Sequence, residues 1–402
     1  MAKVDVGLVE EYREDGLHLR KTELRLKSGS HFEVHPAVNP SKVKRRTLDL
    51  LGNEAIFENS VNITLDKLRK IDNDADAQRE FIKRELRIGR YDNFSLNIIN
   101  LLVKTTDKIE NQDIEYLRAL IDLYSLYTIP VPPVVYYYET KTFTRIVGAT
   151  SRQLTRVYKT TPLPFGDYLN FMKRFLKSTT SSNIGNVLAM TVPCNLPHAK
   201  VSEFASVYKD FNTPIVISDG HGQEQLTVLP QINSLLYSKD ISSVTQRQGE
   251  AFILYGYDSA KSKMNRSAGE IATAKNVLQH FYRFSSFGPR YTFPKMRINN
   301  KPGAPNPQPR IYYREELGYA KRNYKDALAR IQNWISENSF SADAATSTYS
   351  NYVKDYEAVK LTETSREIYS HVEKKELEKI IQRGTLKDEI SSVKNALRNP
   401  PD

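Results

Sequence analysis

Pro214-Ile215-Val216-Ile217, running directly into Ser218-Asp219-Gly220-His221-Gly222, is the stretch on which the fold reading turns. The apolar run is too short for a helix and is bounded by turn residues, so it predicts a buried strand. A helical pattern follows over residues 226–237. The same sequence of events recurs on both sides. Residues 187–192 form an apolar strand ending in Pro193-Cys194-Asn195, and residues 198–211 read as a helix. Residues 251–255 form a strand ending in Gly256-Tyr257-Asp258, and residues 268–281 read as a helix. Continuous apolar strands alternating with helices are the signature of a parallel sheet covered by helices.

The first half extends the pattern less clearly. Residues 31–35 and 54–58 suit short strands, and residues 96–103 are a strand or a helix by period alone. Residues 8–26 suit a helix or a hairpin, and residues 64–87 and 113–126 carry helical spacing. Val134-Val135-Tyr136-Tyr137-Tyr138 is β-prone, and residues 168–176 are helical. The expected fold class is α/β, with a (β/α)8-barrel-like (TIM-barrel) main domain over residues 1–298. An open doubly wound parallel sheet is the alternative. No Gly-rich turn follows an early strand, which counts against a dinucleotide-binding fold. Residues 299–310 hold four prolines and predict a linker. Residues 311–402 are expected to form a helical C-terminal subdomain, with helices over 314–336, 352–359, 364–383 and 386–397.

The chain has 402 residues, 40% of them hydrophobic and 26% charged, which excludes a disordered chain or a disulfide-stapled miniprotein. One cysteine, Cys194, excludes an internal disulfide and a Cys-based zinc cluster. No uncharged apolar run approaches the roughly 18–20 residues that span a bilayer. The first residues lack the apolar core of a secretory signal. These features predict a cytoplasmic protein without a membrane partner.

The formal charge is +11. Residues 311–402 are balanced, so the excess lies in the first 310 residues. It concentrates in residues 139–177, with Arg145, Arg152 and Arg156, and in residues 258–301, with Lys263, Arg266, Arg283 and Arg290. The second stretch interleaves aromatics: Phe281-Tyr282-Arg283-Phe284, then Phe287, Tyr291 and Phe293. Cations neutralise phosphates and aromatic faces stack on unpaired bases, so these residues are the candidate nucleic-acid (RNA or DNA) contacts. The alternative is that the aromatics are core and the cations a solvated rim.

No phosphate-binding P-loop, His-Glu-x-x-His helix, Gly-x-Ser-x-Gly elbow or EF-hand loop is present, and no motif names a cofactor. Candidate catalytic residues therefore come from position. In parallel sheets, ligands sit at the carboxyl ends of the strands. Asp219 follows a buried strand and suits a nucleophile or general base, with His221 as proton shuttle beside two glycines. The alternative is a tight turn in which Asp219 bonds backbone. Asp258 follows the next strand. Glu33 and His35 share one face of a strand, and with Asp219 or His221 would offer a His–carboxylate ligand set; no metal is assigned.

In outline the combination resembles the tRNA-guanine transglycosylase superfamily, basic barrels that exchange a base through an aspartate nucleophile. The likeness spans roughly residues 30–290 and is architectural. The family's Asp-Ser-Gly-Gly-Phe stretch is absent, and one cysteine cannot build its zinc site. What the resemblance implies is a transferase acting on nucleic acid, with Asp219 as nucleophile. The competing expectation is a non-catalytic binding or assembly protein, with residues 311–402 mediating homo-oligomerisation or docking to a protein partner.

Overall fold

The computed structural model describes residues 4–14, 16–26, 31–39, 43, 45–51, 56–72, 74–86, 97–124, 129–147, 150–179, 188–193, 195–220, 230, 232, 235, 252–258, 270–289, 310–322, 324–338, 346–384 and 386–398. The fold is mixed α/β, with parallel sheets and packed helices. An N-terminal antiparallel sheet is made of β1 (Val4–Glu14), β2 (Leu17–Leu26) and β3 (His31–Glu33). After helix α1 (Arg45–Leu51) comes β4 (Phe57–Thr64), then α2 (Leu65–Asp72) and α3 (Ala75–Phe81). Next are β5 (Asn97–Thr105), α4 (Asn111–Tyr124), β6 (Val134–Val147), β7 (Thr150–Pro162) and α5 (Phe165–Thr179). Strands β4, β5 and β6 are parallel, and β7 returns antiparallel to β6.

A second sheet contains β8 (Met190–Val192), β9 (Ile215–Asp219), β10 (Ile253–Tyr257) and a two-residue β12 (Ser286–Phe287), all parallel. Between β8 and β9 lies α6 (Val201–Ser206). Backbone bonds join the edges of the two sheets. Ala37 N–H donates to Phe287 O at 2.8 Å, and Val38 N–H to Ile56 O at 2.8 Å. On the other side Ala189 N–H donates to Pro130 O at 2.9 Å.

Side chains alternate along these strands, as a pleated backbone requires. Ile215, Ile217, Ile253, Tyr255, Tyr257, Ile98, Leu102, Val134 and Tyr136 share one apolar cluster. Val216, Leu254, Val103 and Val135 belong to another, packed on the inward faces of α4 and α5. Those helices carry their apolar residues at three-to-four spacing: Ile114, Leu117, Ile121 and Tyr124 on α4, and Tyr168, Phe171, Met172 and Phe175 on α5.

The inner cluster also takes in Val6, Leu24 and Val34, with Ile56 and the first residues of β9 and β10. The N-terminal sheet therefore lies against the amino ends of the parallel strands. Arg283 N–H donates to His18 O at 2.5 Å, tying β2 to the segment before β12. The carboxyl ends lie on the opposite side.

Several local readings are corrected. Residues 268–281 are not one helix: β11 (Ile271–Thr273) comes first, then a short α7 (Lys275–Leu278). Residues 314–322 are not helical either. Strands β13 (Arg310–Tyr313) and β14 (Gly318–Lys321) form a hairpin, and β14 pairs with β11. Helix α8 spans Tyr324–Glu337. Helix α9 (Thr346–Glu373) runs through the gap expected between two helices, and α10 (Leu377–Ile381) and α11 (Leu386–Arg398) follow. Leu317 adopts φ 48°, closing the tight turn between β13 and β14. Residues 8–26 form the hairpin, not the helix.

Candidate active site at the carboxyl ends of the strands

Along β9, Ile215 and Ile217 face the inner cluster, so the period of two turns Asp219 the same way. Asp219 is the last residue of its strand and is buried. Tyr136 on β6 donates its hydroxyl to Asp219 Oδ2 at 3.0 Å. On β10, Tyr255 donates to the Glu58 carboxylate of β4. Tyr257, in register with Asp219, donates to Ser60 Oγ at 3.2 Å. The inner side thus gathers three phenols and the carboxylates of Glu58, Asp219 and Asp258, all within the fold's interior.

The phenols are held firmly protonated. Burial pushes Tyr136 well above the ordinary phenol value, and the negative charges of Asp219 and Asp258 push further. Tyr257 is raised by burial and then by Glu58, Asp219 and Asp258. Tyr255 is raised by burial and then by Glu58. A phenol that keeps its proton is a fixed donor, and a donor to a charged oxygen stabilises by about 1.5–3 kcal/mol. Tyr136 and Tyr255 therefore orient buried carboxylates, and Tyr257 a neighbouring serine hydroxyl.

Backbone features adapt the strands to this packing. A Cβ on Gly288 would overlap the Glu58 carboxylate and the Tyr255 hydroxyl, so any larger residue there forces that buried, bonded pair to shift. Asp258 adopts φ 48°, a left-handed conformation that aspartate tolerates better than most residues. Gly220 N–H donates to Tyr257 O at 2.9 Å, linking the ends of β9 and β10.

Lys104 is a further member. It stands near the end of β5, in register with Tyr136, and is buried. Burial lowers its pKa from the ordinary lysine value. Among the described residues, no group of three or more His, Cys, Asp or Glu side chains is arranged to hold a metal ion. No described helix is long and apolar enough to cross a membrane.

The structure thus brings Asp219 and Asp258 together with Glu58 and Tyr257, which the sequence also places at strand ends, and adds Tyr136, Tyr255 and Lys104. It does not bring Glu33 and His35 to them. His35 precedes residue 38, which pairs with the first residue of β4, so it lies at the amino ends of the strands. There its Nδ1 is 3.4 Å from Ser365 Oγ of α9. Its Nε2 is 3.9 Å from Glu33, whose carboxylate pairs with Lys21 Nζ at 2.8 Å. Burial, with the cations Arg366 and Lys21, lowers its pKa to about 3, so it is a neutral imidazole.

For the first part of the aromatic stretch the core alternative holds, while Tyr291 and Phe293 lie outside the described residues. Phe281, Tyr282, Phe284 and Phe287 are all core residues. Arg283 is not a surface cation either: its guanidinium lies 5.4 Å from the Phe252 ring centroid, and its backbone takes φ 76°. Arg145, Arg152 and Arg156 fall on β6 and β7. His221, Lys263, Arg266 and Arg290 lie outside the described residues.

The signal for the missed residues was in the strands. Asn100 and Lys104 interrupt the apolar run of β5, and Glu58, Ser60 and Asn62 alternate along β4. Polar residues in one phase of a buried strand mark a polar interior surface.

No family model matches the chain, and no curated protein matches it. Among solved structures it is similar to the muconate lactonizing enzyme from Pseudomonas fluorescens, determined with muconolactone: 10% identity over 71% of this chain and 84% of that one, with a TM-score of 0.21. At that TM-score the likeness carries no argument, and the site stands on its own geometry.

Proposed function

We propose that the two parallel sheets are halves of one closed (β/α)8-type ring, and that the protein is an enzyme modifying a base or nucleotide of a nucleic acid through Asp219. The edge bonds at residues 37 and 287, 38 and 56, and 130 and 189 support the ring. The observation that carries the chemistry is the buried Asp219 carboxylate, at a strand's carboxyl end, oriented by the Tyr136 hydroxyl. Active sites of such rings lie at that end.

In this reading an Asp219 oxygen attacks the anomeric carbon of the target nucleotide. The glycosidic C–N bond breaks, its electron pair leaves with the base, and Asp258 exchanges the proton that the leaving and incoming groups require. Water or a second base then displaces the ester and regenerates the carboxylate. Tyr136 holds Asp219 in line, and the net positive charge of the first 310 residues favours a polyanionic substrate.

The test uses DNA and RNA labelled in their bases, with release or exchange of label followed over time. Asp219→Asn should lower the rate by roughly 10³-fold or more while leaving nucleic-acid affinity intact. An Asp219→Asn protein that turns over at the wild-type rate would remove the proposal.

A further inference from the structure

Beyond residue 137, β6 leaves the parallel sheet. Its pairing with β5 ends at Tyr137, but its pairing with β7 continues to Val147. The result is a two-stranded ribbon, Tyr138 opposite Thr160 at its base and Val147 opposite Thr150 at its tip. At about 3.4 Å per residue it is roughly 30 Å long. It departs at a register shift between Glu139 and Thr140, and bulges of this kind twist and redirect a ribbon.

The register places like charges opposite each other. Lys141 faces Arg156, and Arg145 faces Arg152, with the Phe143–Leu154 pair between them. Opposed positions of an antiparallel pair share a face, so by register positions 141, 145, 152 and 156 belong to one face of the ribbon. Like charges directly opposite destabilise a hairpin, and an isolated two-stranded ribbon is marginal to begin with. A polyanion laid along that face removes the penalty.

We infer that the β6–β7 ribbon is the element that docks double-stranded DNA, with its cationic face on the phosphates flanking the major groove. This rests on the nucleic-acid reading above and specifies its partner. A two-stranded ribbon fits the major groove of B-form DNA, about 12 Å wide, whereas the major groove of an RNA duplex is too narrow. The ribbon springs from the strand that carries Tyr136, whose hydroxyl orients Asp219. DNA held by the ribbon therefore stands over the carboxyl ends of the strands, where a flipped base reaches the carboxylate.

The experiment measures affinity of the full chain for a 20-base-pair DNA duplex, the matching RNA duplex and single-stranded DNA, from about 50 to 200 mM salt. The variant carries Lys141→Gln, Arg145→Gln, Arg152→Gln and Arg156→Gln; the pair Arg145→Gln/Arg152→Gln at the tip serves if the quadruple variant does not fold. Wild type should bind DNA duplex best, and the quadruple variant should lose about 3–4 from the slope of log affinity against log salt. The tip pair should lose about half of that. Unchanged affinity and slope in the variants overturns the role of the ribbon while leaving the nucleic-acid reading standing. Tighter binding to RNA duplex or single strands overturns the commitment to duplex DNA. A wild-type protein that binds none of the three overturns the proposed function itself.

Discussion

Gly288→Ala should be among the most damaging single-methyl changes available in this protein. An added Cβ would overlap both a Glu58 carboxylate oxygen and the Tyr255 hydroxyl, which are bonded to each other. All three groups are buried. Two effects add. Forcing a methyl group into a filled site costs about 1–3 kcal/mol. Separating a buried phenol from the carboxylate it bonds costs about another 1.5–3 kcal/mol. A loss of roughly 2.5–6 kcal/mol is large against the stability of a natural domain. Urea unfolding monitored by fluorescence and circular dichroism reads it as a lower midpoint. The background Glu58→Ala/Tyr255→Phe removes both obstructing groups, so there the same methyl should cost under about 1 kcal/mol. The reasoning fails if Gly288→Ala is neutral in the native background, or if its effect is the same in both backgrounds.

Tyr136→Phe removes the donor to Asp219 and should lower kcat by about 10–100-fold with KM nearly unchanged, corresponding to one hydrogen bond to a charged group. Steady-state kinetics on labelled substrate checks the split. His280 is fully buried, between the rings of Phe287 and Tyr369, and burial lowers its pKa to about 4. It is neutral in the fold but takes up a proton near pH 6.5 when unfolded. Its contribution is thus complete above about pH 6.5 and is lost as pH falls toward 4, on the order of 3 kcal/mol. His280→Phe should flatten unfolding free energy against pH over that window, as denaturant titrations at several pH values would show. Arg283→Ala should lower the melting temperature through lost contact with Phe252, while leaving the salt dependence of DNA binding unchanged.

The parallel strands were legible because burial on both faces leaves unbroken apolar runs. Residues 215–217 and 253–255 show this directly. Strand ends were harder. β9 continues through Ser218 to Asp219 and β10 through Gly256 to Tyr257, because polar residues facing an enclosed interior imitate the start of a loop. That imitation hid Tyr255, which lies inside the strand, whereas Asp219, Tyr257 and Asp258 stand out as polar strand-end residues. Glu58 was visible only as a strand end, since nothing local reveals a partner such as Tyr255, distant in sequence. In the sequence the β6–β7 ribbon shows as charge alone: Thr, Lys and Arg alternate there without an apolar face to announce a strand. Residues 268–281 and 314–322 misled for the opposite reason. Helical spacing was present, but β11 and β14 pair with each other, and tertiary pairing overrode local preference. Arg283 and the aromatics around it show the limit of composition. Cation and ring are adjacent in sequence, yet the rings fill the core and the guanidinium packs against Phe252.

The most direct test of the account is a search for the covalent intermediate. Protein mixed with DNA duplex is quenched in acid during turnover, digested and analysed by mass spectrometry. The account predicts a base-free nucleotide esterified to the peptide bearing Asp219, present in wild type and absent from Asp219→Asn. Turnover with no adduct on that peptide, or an adduct that persists in Asp219→Asn, would contradict it.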